Sequence, residues 1–292
     1  MKKKGFGYFW ILSNLSSTFG HIGEMMAFDP LQRASLALFL ASTPCTMAAV
    51  FLFDGDRARW ACYNGVAFST AFIMLFLGPL LSPCVVERRK DGDGARFSAR
   101  LLLAMDNWIL WLTCFTQIGI QIPHSLFAKF FWDNRGGVVE WPFYAYGLSD
   151  RRWSEYTHDG GKTFGLDGYV ELINWNDGLL GVCVFAAYLY RKRQLQIGDA
   201  LSMRTSTVAL VLAVVFRDAT LWRETVEYLG QHFLSGHAFS TIDPEVRGLA
   251  IANIYLINGL WILAPMLSPV WAWFMIHDAF RESDRTNDNK KK

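Results

Sequence analysis

Charge is scarce in this chain, and so are the signatures that usually carry catalysis. Only 18% of the 292 residues are Asp, Glu, Lys or Arg, and the formal net charge is +2. Lys and Arg gather in short clusters beside apolar runs, so no basic face for nucleic acid is expected. The six histidines (His21, His124, His158, His232, His237 and His277) form neither HExxH nor desaturase-like boxes, and no metal site is expected from them. There is no P-loop, no dinucleotide-binding glycine fingerprint and no serine nucleophile elbow, so no cofactor is implied. The five cysteines (Cys45, Cys62, Cys84, Cys114 and Cys183) lie in or beside apolar runs without paired spacing. A disulfide framework or thiolate metal site is not expected, and these thiols read as small hydrophobes. Met1–Lys4 is basic, but the next stretch is broken by Asn14, Ser16, Ser17 and Thr18 and lacks a cleavage site, so no cleaved signal is expected.

What is abundant is apolar and aromatic: 52% hydrophobic residues, with 12 Trp and 23 Phe. About 20 apolar residues cross a bilayer, and the runs at 34–53, 61–86, 101–126, 168–190, 207–233 and 249–276 read as six spans. The expected fold is therefore all-α, a polytopic membrane bundle of about six transmembrane helices. A seventh would need 6–28 to cross as well, but that stretch carries His21 and Glu24 and reads as an interfacial helix. With six spans, 18 Lys and Arg fall on one side and eight on the other. The excess of positive charge on the cytoplasmic side then places both termini there.

This divides the chain into an N-terminal interfacial segment (1–33), two spans with a cytoplasmic linker (34–100), a four-helix core (101–280) and a disordered polar tail (281–292). Within the core, the connection 132–167 carries Trp132, Trp141, Phe143, Tyr144, Tyr146, Trp153 and Tyr156. Rings of this kind favour the headgroup zone, so the connection is expected to fold over the bundle mouth as a lid.

Polar residues inside the spans point to function. Arg217, Asp218, Arg223, Glu224 and Glu227 interrupt the fifth span, where each ionisable group costs roughly 2.5–3.5 kcal/mol on insertion scales. Arg217 with Asp218, and Arg223 with Glu227 at i+4, are natural ion pairs. Glu171, Asp177 and Glu224 have no obvious local cation, and burial of a carboxyl in apolar surroundings favours its neutral, proton-donating form. The third span sets Asn107, Cys114, Gln117, Gln121 and His124 at helical spacings; the fourth sets Glu171, Asn174 and Gly178 on one stripe; the sixth sets Asn258, Trp261 and Pro265 together. Expected catalytic groups are therefore Glu171, Glu224 and Asp177. Gln117, Gln121, Asn174, Glu227, Asn258 and Trp261 are the expected substrate-binding set, with Trp175 and Trp222 as further aromatic faces.

The last span, IANIYLINGLWILAPMLSPVWAWFMIHDAF, with Asn258, Leu260, Trp261 and Pro265, resembles the closing helix of the emopamil-binding protein family, the EXPERA-domain sterol Δ8–Δ7 isomerases. LWRETVEYLGQ is similar to that family's acidic helix, with Glu224 where Asp is usual, and YAYGLSDRRW resembles its Asp-x-Arg-aromatic loop through Asp150, Arg152 and Trp153. Glu171 lies near the family's carbocation-stabilising glutamate. Where the family has F-x-H-x-x-x-E, this chain has FTQIGIQ from Phe115 to Gln121, so both proton-handling residues are glutamines. The resemblance implies a lipophilic sterol or terpenoid substrate in the bilayer, cation chemistry in a dry site, and residence in the endoplasmic reticulum. The same chemistry serves the integral-membrane terpene cyclases of fungal meroterpenoid pathways, which this chain matches in architecture. The expectation is an isomerase of the cyclase type; a sterol isomerase or a non-catalytic lipid binder are the alternatives.

Overall fold

The apolar runs fold as helices. A computed structural model describes residues 37, 41, 44–48, 50–53, 55–81, 93–141, 169–197, 199–234 and 247–290. Helix α1 (Asp56–Phe72) continues through a π-helical turn (Ile73–Leu77) into the short α2 (Gly78–Leu81). Helix α3 (Asp93–Trp111) continues through a longer π-helical segment (Leu112–Gln121) into α4 (Ile122–Asp133). Then come α5 (Tyr169–Ile197), α6 (Ala200–Leu234) and α7 (Arg247–Lys290). The fold is all-α, and among the described residues four stretches are long and apolar enough to cross a membrane: Ala58–Leu80, Phe97–Phe127, Leu201–Gly230 and Asn258–Arg281. α5 is long enough at 29 residues, but Glu171, Asp177 and Arg191–Arg193 make it more polar than those four. The expected interfacial helix at 6–28, and nearly half of the expected span at 34–53, lie outside the described residues.

α6 is turned inside out relative to a helix of a water-soluble protein. Its buried stripe holds Leu210, Val214, Leu221 and the charged Arg217 and Asp218, while Leu212 and Phe216 are each 65% exposed. α7 follows the same pattern, with Ser268 buried and Leu263, Met266 and Trp273 exposed. Apolar outside and polar inside is the arrangement a hydrocarbon solvent selects.

A two-residue connection joins α5 to α6 and makes them antiparallel neighbours. Asp199 caps the start of α6, its Oδ2 accepting the Ser202 N–H at 2.8 Å. The register is held near the turn by Arg191 Nε donating to Thr207 Oγ1 at 3.2 Å and far from it by Asn176 Nδ2 donating to Glu224 Oε1 at 2.7 Å. α7 covers another side of α6 and also meets α3, while α5 lies against the π-helical segment. Around these contacts Trp108, Ile109, Tyr188, Leu210, Val214 and Trp271 form the apolar core.

Both π-helical stretches end just before a proline, Pro79 or Pro123. A proline lacks the N–H for the i−4 carbonyl, and its ring crowds that carbonyl. Widening the preceding turn to i→i+5 bonds, Gly78 N–H to the Ile73 carbonyl and Ile122 N–H to the Gln117 carbonyl, accommodates the ring. In α7 the same defect is met differently. Pro269 leaves the Pro265 carbonyl without its helical donor, and the Ser268 hydroxyl donates to it at 2.8 Å.

Two segments are more helical than expected. At the end of 34–100, read as two spans with a cytoplasmic linker, the chain is helical from Asp93, because Ala95–Arg100 contains no breaker once Gly94 is passed. The tail read as disordered from Arg281 is helical to Lys290, and no Gly or Pro intervenes to stop α7. Of the expected lid, Trp141 is buried, and 142–167 lie outside the described residues.

Gly178 and Gly181 let α5 approach the π-helical segment closely. A Cβ on Gly181 would meet Gln117 Cβ at 2.8 Å, and one on Gly178 would meet Ile122 Cγ1 at 2.5 Å. Gly181→Ala should therefore destabilise the detergent-solubilised protein by about 1–3 kcal/mol. Gly65→Ala, where nothing lies within 4 Å, should leave thermal unfolding unchanged or raise its midpoint, since Ala is the better helix former.

Candidate functional site

Asp177 and Glu224 meet inside the bundle, one from α5 and one from α6. Asp177 is 1% exposed and Glu224 5%. Gln121 Nε2 donates to Asp177 Oδ2 at 3.0 Å, while Asn176 holds Glu224 Oε1. The remaining oxygens, Asp177 Oδ1 and Glu224 Oε2, take no bond from any N–H or hydroxyl among the described residues. Asn176 and Asp177 are neighbours on α5, so the Asn176 bond to Glu224 brings the two carboxyls to the same level of the bundle. Two carboxylates have no donor between them, so a bond across this pair requires one proton held there. Two like charges this close would also repel strongly in an apolar interior. The geometry supplies two carboxyls at one level of an apolar bundle.

A second charged pair lies farther along α6. Arg217 and Asp218 are both 0% exposed, with Arg217 Nη2 2.7 Å and Nε 2.8 Å from Asp218 Oδ1. Arg217 Nη1 donates to Thr113 Oγ1 at 3.1 Å. The π-helical segment thus serves both pairs: Thr113 binds Arg217, and Gln121 binds Asp177. Arg217 also exerts its field on Asp177, so the two pairs are one electrostatic unit.

Trp108, Trp111 and Trp261 stack into a trio beside this unit. Their ring centroids lie 5.5 Å (Trp108–Trp111), 5.0 Å (Trp108–Trp261) and 5.4 Å (Trp111–Trp261) apart. Trp108 and Ser268 also approach the Asp218 carboxylate, without closing an ordinary hydrogen bond to its Oδ2. Aromatic faces stabilise cations by roughly 2 kcal/mol or more when water is excluded.

The expected site residues divide accordingly. Asp177, Glu224 and Gln121 come together, and Trp261 joins its trio. Gln117 is fully buried against Gly181, with neither end of its amide hydrogen-bonded among the described residues. Asn258 sits half-buried on α7, one turn before Trp261. Glu227 is half-exposed and pairs with Arg223 at 3.8 Å. Trp222 points outward, 41% exposed. Glu171 and Asn174 lie in α5, but their side chains are outside the described residues.

The expected polar stripe on the third span splits. Asn107 Nδ2 donates to the Met74 carbonyl at 2.7 Å, toward α1, whereas Gln121 faces α5. The i→i+5 winding between them turns the helix less per residue, so an α-helical projection puts these side chains on one face when they are not. Sequence reasoning also missed Asn176, Thr113, Trp108 and Trp111. Pro123 was the available signal for the altered winding, and the i, i+3 spacing of Trp108 and Trp111 for the trio.

Comparison with protein-family models, with curated proteins and with solved structures returns no match.

Removing one partner of a buried ion pair strands the other. Arg217→Met should cost about 3–5 kcal/mol, and Arg217→Met with Asp218→Leu should recover most of it. The check is the thermal midpoint of the purified proteins with the yield of monodisperse protein. A single variant as stable as the wild type would show that the pair is not buried together.

Proposed function

We propose that this chain is a membrane-embedded isomerase of the cyclase type. It would protonate an alkene or epoxide of a terpenoid or prenylated lipid and stabilise the resulting carbocation. The observation that carries this reading is the carboxyl pair Asp177–Glu224, held between two helices in an apolar bundle. One member gives its proton to a substrate carbon and becomes the anion. Gln121 and Asn176 hold the two carboxyls in place, and the Trp108–Trp111–Trp261 faces stabilise positive charge as it moves along the substrate. Loss of a proton from the final cation closes the reaction with no net redox change.

In this reading six spans cross the membrane of the endoplasmic reticulum with both termini cytoplasmic. Water-poor walls keep the cation from being quenched. A sterol Δ8–Δ7 double-bond shift would use the same acid pair, and the resemblance of 221–231 and 251–280 to the sterol isomerases favours testing it alongside. With Gln117 and Gln121 in place of that family's proton-handling residues, the proton source is assigned to Asp177 and Glu224.

Membranes containing the chain, incubated in D2O with prenylated lipids, epoxidised polyprenyl compounds and Δ8 sterols, provide the test. The expected outcome is an isomer carrying one solvent deuterium. Asp177→Asn and Glu224→Gln should each lower its rate by a factor of about 10²–10⁴, at normal protein levels. Substrates recovered unchanged, in structure and isotope content, would contradict the proposal and favour a lipid-binding role.

A further inference from the structure

A carboxyl that protonates an alkene needs a new proton before the next turnover, unless it recovers the one the carbocation loses. On the outer face of α6, Arg223 stands between Glu224 and Glu227, with Nη2 3.7 Å from Glu224 Oε1 and Nε 3.8 Å from Glu227 Oε1. The side-chain exposures grade from 6% at Glu224 to 49% at Glu227 and 63% at Arg223. One guanidinium thus ties a buried carboxyl to an accessible one. Arg223 stays protonated and carries no proton itself; it holds both carboxyls to one guanidinium.

Depth separates the two acids. Taken from the middle of the span Leu201–Gly230 at about 1.5 Å per residue, Glu224 lies roughly 13 Å along the axis and Glu227 roughly 17 Å. A hydrocarbon core of about 30 Å ends near 15 Å, between them. Trp222 and Arg223, both exposed, suit that boundary as interfacial anchors. Farther in, the groups facing Glu224 are Asn176 and Asp177 from α5, with Gln121 behind them, and Arg217 of α6 acts on Asp177. The buried oxygens Asp177 Oδ1 and Glu224 Oε2 have no other donor among the described residues.

We infer that the Arg223–Glu227 pair is the port through which the Asp177–Glu224 pair exchanges protons with water at the Leu234 end of the bundle. The port's role in turnover rests on the acid-catalysed reading above. A hydronium ion from bulk water protonates the Glu227 carboxylate and leaves as water, Glu227 passes the proton to the dianionic Asp177–Glu224 pair, and Glu227 returns to its anion. Glu227 is a relay and positioning residue that does not touch substrate.

The experiment follows the carbonyl stretch of the protonated carboxyl by infrared spectroscopy as full-length protein in lipid nanodiscs passes from H2O to D2O. A band lost in Asp177→Asn and Glu224→Gln identifies the pair. In the wild type it should shift promptly. In Glu227→Gln the shift should slow at least tenfold with the thermal midpoint unchanged, and Glu227→Asp should restore it. Exchange at the wild-type rate in Glu227→Gln, or no band sensitive to the two pair variants, would overturn the inference. This readout needs no substrate, so a substrate screen without product would sink the catalytic reading and leave the exchange result standing.

Discussion

Placing charge inside an apolar bundle is the constraint from which the rest of this structure follows. An ionised group without a partner is strongly disfavoured in such surroundings, so every buried charge must find an opposite charge, a dipole or a proton. Arg217 finds Asp218 and Thr113. Asp177 finds Gln121, and Glu224 finds Asn176. Those requirements fix which faces of α5, α6 and the π-helical segment meet. The apolar core around Trp108, Tyr188 and Leu210 can then close around them.

The close approach of α5 is part of the same solution. Gly178 and Gly181 remove the side chains that would keep it away from the π-helical segment, which brings Gln121 within reach of Asp177. The π winding itself is imposed by Pro123, and it turns Gln121 toward α5. A proline, two glycines and a glutamine, none of them ionisable, therefore set the environment of the acid pair.

Much of this was legible in the sequence. Four of the expected spans, 61–86, 101–126, 207–233 and 249–276, overlap the stretches long and apolar enough to cross a membrane, because the length of such a stretch is set by the bilayer. The ion pairs Arg217–Asp218 and Arg223–Glu227 were legible because i+1 and i+4 spacings need no tertiary knowledge. The meeting of Asp177 with Glu224 could have been read from the two-residue turn, since roughly equal counts from that turn bring the two acids near one another. Other parts were hidden. Asn107 and Gln121 part company because the winding changes between them, which a fixed helical period does not reveal. The outward turn of Glu227 and Trp222 depends on how α6 is rotated against α5 and α7, and Asn176 enters only once that rotation is known.

A double-mutant cycle between Asp177→Asn and Glu224→Gln, read as thermal or denaturant stability of the full-length protein, tests the central claim most directly. A shared proton across a close pair predicts non-additivity, a coupling of about 0.5–3 kcal/mol of the kind seen between contacting residues. Additivity within about 0.3–0.5 kcal/mol, as for residues that do not touch, would contradict it.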